Sequence, residues 1–66
     1  MELTITIDTD NAAFEEAGVE FEAARILRAF ARTIENNGMP IGSTWKLRDI
    51  NGNTVGAAET TEDEEE

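Results

Sequence analysis

The chain has 66 residues with no cysteine, histidine or tyrosine, and fifteen acids against five bases give it a formal net charge of −10. So short a chain buries only about 60% of its unfolded surface, and with neither disulfides nor a Cys/His zinc site to brace it, one apolar core must hold it. The charge disfavours nucleic acid and anionic membrane as direct partners, since both demand Lys and Arg, and leaves a basic protein surface or a multivalent cation as the attractive one.

Met1–Asp8 alternates, with Leu3, Ile5 and Ile7 on one side and Glu2, Thr4, Thr6 and Asp8 on the other. Period-two alternation rich in β-branched residues predicts a half-buried strand. It stops at Asp8-Thr9-Asp10-Asn11, a cluster that favours turns and helix caps. Phe14 then anchors a short turn at Ala12–Ala17, which Gly18 interrupts. Val19, Ala23, Ile26, Leu27, Phe30 and Ile34 fall on one helical stripe, predicting a helix from Val19 to Asn36 that Asn37-Gly38 and Pro40 end. Glu20 and Glu22 sit in its first turn, where the macrodipole favours them. Phe21 lies about 120° from Leu27 on this helix; it either caps the core edge against Phe14 or stands exposed as an anchor for a partner.

Thr44–Ile50 alternates again, with Trp45 and Leu47 inward and Thr44, Lys46 and Arg48 outward. Asn51-Gly52 predicts a type I′ hairpin turn, and Asn53–Ala58 returns with Val55 and Ala57 toward the core. The expected architecture is α+β, in the order β-α-β-β. Its three-stranded sheet has strand order 1-3-2, the first and second strands parallel and the third antiparallel to both, with one helix on one face. The expected core is Leu3, Ile5, Ile7, Val19, Ala23, Ile26, Leu27, Phe30, Ile34, Trp45, Leu47 and Val55. Residues 1–58 form the domain; 59–66, which hold no apolar residue, are expected to be a disordered acidic tail. The open sheet face, carrying Glu2, Thr4, Thr6, Thr44, Lys46, Arg48, Thr54 and Ala58, is polar enough to meet water.

No catalytic set is present. The usual general bases and thiolate nucleophiles are missing, and the single serine, Ser43, has no histidine to activate it. The chain is therefore not expected to be an enzyme, and no cofactor is implied. Asp8-Thr9-Asp10-Asn11-Ala12 begins like a calcium loop but fails where Ala12, Ala13 and Val19 replace a ligand, the turn glycine and the bidentate Glu. Asp49-Ile50-Asn51-Gly52-Asn53 is explained as a hairpin turn, so no dedicated metal site is expected.

Charge is sorted along the chain. Residues 1–24 hold seven acids and no base, residues 25–48 hold all five bases (Arg25, Arg28, Arg32, Lys46, Arg48) with one acid, Glu35, and residues 49–66 hold seven more acids. Asp8, Asp10, Glu15, Glu16, Glu20 and Glu22 should share one end of the molecule. Carboxylates fixed on a rigid body can imitate duplex phosphates, which carry one charge per ~1.7 Å of axis, and steer onto a basic groove. The competing reading of these six is a solubilising surface. Arg25, Arg28 and Arg32 either neutralise local acids or meet a partner of their own.

The run Asp8-Thr9-Asp10-Asn11-Ala12-Ala13-Phe14, the helix segment Ala24-Arg25-Ile26-Leu27-Arg28 and the stretch Leu47–Gly56 resemble short reading frames of bacteriophages and prophages. In size and charge the chain is similar to anti-CRISPR inhibitors of the DNA-mimic type. That resemblance implies a phage-encoded inhibitor, monomeric in the host bacterial cytoplasm, whose partner is a basic nucleic-acid-binding protein or CRISPR effector complex. The class shares no motif, so no site residue is carried over. The alternative is a small structural or regulatory interaction domain that binds through its open sheet face.

Overall fold

The computed structural model describes residues 1–62. Its elements are β1 (Glu2–Ile7), α1 (Ala12–Ala17), α2 (Val19–Asn37), β2 (Thr44–Arg48) and β3 (Thr54–Thr61). The sheet order is β1-β3-β2, with β3 antiparallel to both neighbours; β1 and β2 are therefore parallel, as the helical crossover requires.

The short turn at Ala12–Ala17 is a helix. The Asn11 side chain accepts the Ala13 N–H at 2.8 Å and caps it, while Ala13 and Phe14 turn inward. Gly18, at φ +95°, ends α1 and begins α2, and its N–H donates to the Phe14 carbonyl at 2.9 Å. α2 ends at Gly38, whose N–H reaches the Ile34 carbonyl.

The core joins Phe14, Ile26, Phe30, Leu47, Val55 and Ala58, with Ile7, Ala23, Ile34 and Trp45 packed against it. Phe30 meets Trp45 edge to face at 5.2 Å. Four expected core residues, Leu3, Ile5, Val19 and Leu27, are instead exposed. Val19 is the first residue of α2, and Ile26 and Phe30, the buried residues of its apolar face, pack with Leu47 and Val55 rather than with the outer part of β1.

A bulge explains the second difference. Leu47 opposes Gly56, but Arg48 opposes Thr54, so Val55 has no partner on β2. The extra residue lets Val55 point inward and still puts Gly56, Ala58 and Thr60 on the inward side. Ala57 is exposed and Ala58 buried, the reverse of the alternation expected without a bulge. Gly56 is required for a separate reason: a Cβ there would collide with the Thr6 carbonyl oxygen.

β3 also runs three residues past its expected end at Ala58. Thr60 is buried, its hydroxyl donating to the Pro40 carbonyl at 2.7 Å and accepting the Ser43 N–H at 3.0 Å. Glu59–Thr61, expected in the tail, therefore belong to the sheet and tie down the loop after α2. Residues 63–66 of the expected tail lie outside the described residues.

The hairpin forms, but not through a type I′ turn. Gly52 has φ +89°, and among the described residues none other than glycine has a positive φ. The Asp49 carboxylate organises a longer loop instead, accepting the N–H groups of Asn51 and Asn53 at 2.9 and 2.8 Å and the Asn53 side-chain amide at 3.3 Å.

Candidate functional site

The end of β1, α1, the start of α2 and the β2–β3 loop meet at one pole. The Asp8 N–H donates to the Val55 carbonyl at 2.8 Å, and Asp8, Asp10 and Asn11 line a shallow depression with Thr54 and Val55. Across the pole, the Glu22 carboxylate accepts the Ile50 N–H at 3.0 Å.

Five of the six expected acids lie exposed here. Asp8 accepts the Asp10 N–H at 3.0 Å, a local turn that leaves both residues facing water. Glu15 and Glu16 lie on the outer side of α1 because Ala13 and Phe14 claim its inner side. Glu20 projects from the first turn of α2. None of these five enters an ion pair among the described residues.

Glu22 corrects the expected set. Its side chain is 2% exposed, and its oxygens accept from Arg25 Nε at 2.9 Å and Nη2 at 2.8 Å. This bidentate geometry is the strong form of the carboxylate–guanidinium contact. The hydrogen bonds from Arg25 hold the Glu22 pKa below its ordinary value against the opposing effect of burial, helped by the Ile50 N–H and the Arg25 charge. The Arg25 pKa is raised in turn, by its hydrogen bond to Glu22 first. Arg25 also reaches the Arg48 carbonyl at 3.3 Å, so the pair pins α2 to the end of β2. Glu22 is thus a fastening of the fold rather than a contact for a partner.

Asp49 is a second buried carboxylate at this pole. Burial acts to raise its pKa, but the hydrogen bonds from Asn53, Asn51 and Gly52 outweigh it and leave the pKa lowered. Among the described residues no group of three or more carboxylates could hold a metal ion, and no helix is long and apolar enough to cross a membrane.

The pole also carries apolar residues that charge reasoning missed. Phe21 and Ile50 are each 67% exposed, and Val19, the first residue of α2, is exposed as well. Phe21 is exposed rather than buried at the core edge, and its ring lies over Gly18, where a Cβ would come within 3.1 Å. The signal for Ile50 lay in its place between Asp49 and Asn51-Gly52, where a turn presents rather than buries a side chain.

Against models of protein families, curated proteins and solved structures, the chain gives no match.

Proposed function

We propose that the protein is a stoichiometric, non-enzymatic decoy whose acidic pole occupies a basic nucleic-acid-binding surface on a partner protein. In its particular form it is a phage-encoded anti-CRISPR, a monomer in the host bacterial cytoplasm that occludes the DNA-recognition surface of a CRISPR effector complex. The observation that supports this reading is the pairing pattern at the pole. Asp8, Asp10, Glu15, Glu16 and Glu20 are exposed and enter no ion pair among the described residues, while Arg25, the base at the start of α2, is already held by Glu22. The end of β1, α1 and the first turn of α2 carry or flank these negative charges, and unneutralised carboxylates are what a cationic groove recognises. Exposed Val19, Phe21 and Ile50 supply apolar contact beside the charge, as a protein partner needs and free cations do not.

The test is displacement of target duplex from RNA-guided effector complexes of several types. The expected result is stoichiometric loss of DNA binding by one of them, relieved at about 0.5 M salt, where the screening length falls to roughly 4 Å. Binding that persists unchanged at that salt would point to the alternative, an interaction domain using its open sheet face.

A further inference from the structure

All five bases of this acidic chain lie on α2 and β2, the two walls of a groove of about 290 Å³. Ile26, Phe30, Trp45 and Leu47 form its floor, and Lys46 and Arg48 line its β2 side. Ala29 and Thr33 complete the α2 side. Arg25 and Arg32, four residues before and three after Ala29, share that flank of the helix, and Arg28 is one row further out. The contact from Arg25 to the Arg48 carbonyl joins the two walls at one end. Apart from Arg25, none of these bases has an ion-pair partner among the described residues. Among the described residues β2 pairs only with β3, which leaves its outer backbone edge open along the groove.

We infer that this groove is a second binding site, which takes an extended acidic peptide as a fourth strand beside β2. Strand addition supplies main-chain hydrogen bonds, and alternate side chains supply specificity. A strand added here would place every second residue on the helix side, over Trp45 and Phe30, and the residues between beside Lys46 and Arg48 on the other face. The matching ligand alternates apolar and acidic residues. Charge complementarity selects it: the cations of this groove that enter no ion pair among the described residues, Arg28, Arg32, Lys46 and Arg48, attract carboxylates. The inference goes beyond the decoy reading and does not depend on it, since none of the exposed acids of the pole takes part.

The probe is a fluorescein-labelled seven-residue peptide of alternating Glu and Val, measured by anisotropy on the full chain with amide exchange as the map. The expected result is saturable binding that slows exchange at residues 44–48. The double variant Lys46→Glu/Arg48→Glu should weaken it about tenfold, as two favourable cross-strand charge pairs become repulsive. Both side chains are exposed, and circular dichroism checks that the variant folds; Lys46→Arg should bind like the wild type. Glu16→Lys/Glu20→Lys should leave peptide binding unchanged, which separates failure here from failure of the decoy reading. Equal binding of a peptide with its acids in one block, protection mapped away from β2, or binding of an oligothymidylate in place of the peptide would each overturn the inference.

Discussion

Two populations of carboxylate share one pole of this molecule and do opposite work. Glu22 and Asp49 are buried and fully engaged, one by Arg25 and the Ile50 N–H, the other by the N–H groups of its own loop. Asp8, Asp10, Glu15, Glu16 and Glu20 face water with no ion-pair partner among the described residues. The first group holds the surface together and the second is available to a partner. A negative charge in the sequence therefore identifies a binding residue only after the internal claims on it are known.

The comparison is broken most severely at Glu22. Glu22→Ala strands the Arg25 guanidinium and the Ile50 N–H, and removing one partner of such a pair costs more than the pair contributes. In a domain whose core rarely yields more than roughly 3–5 kcal/mol net, thermal melts should show a larger fall in Tm than for any exposed acid. Glu22→Gln, which keeps an acceptor for Ile50, should fall in between. Asp49→Ala comes next: it releases the Asn51 and Asn53 N–H groups near the surface, and exchange should accelerate across residues 49–53.

Acid should separate the two groups as well. The folded pKa values of Glu22 and Asp49 lie below their ordinary values of 4.5 and 3.8. Their contribution is complete above those values and is lost as pH falls through the lowered ones. The Tm advantage of wild type over Asp49→Asn should therefore be flat near neutrality and close at acid pH, below 3.8. A gap that stayed constant into acid would remove Asp49 from the structural group.

Smaller effects sharpen the comparison from the other side. Phe21→Ala and Ile50→Ala should leave Tm almost unchanged, because both side chains are mostly in water, yet weaken partner binding. Glu16→Lys should alter stability by no more than about 0.5 kcal/mol, as expected of a surface site with no internal partner.

Much of the fold was legible in the sequence because it rests on periodicity and punctuation. The alternation of Leu3, Ile5 and Ile7, the stripe from Ala23 to Ile34, and the stop at Gly38 suffice for the elements, and the strand order follows from their connections. What escaped depends on a single residue meeting a distant one. The bulge at Val55 reversed the faces of Ala57 and Ala58, and no local pattern announces one extra residue. Thr60 was read with the acidic end because its use lies in bonds to Pro40 and Ser43. Five of the six acids were legible as exposed residues. Glu22 was not: its spacing of three from Arg25 signalled a helical pair, but its burial needed the Ile50 N–H, 28 residues away.

The most direct test of the central claim is a competition in which the wild-type chain and Glu16→Lys/Glu20→Lys each displace duplex DNA from the same basic, DNA-binding effector complex. The account predicts that the wild type displaces DNA stoichiometrically, while the double variant, with the same circular dichroism spectrum and nearly the same Tm, loses most of that ability. A correctly folded double variant that competes as well as the wild type would contradict it.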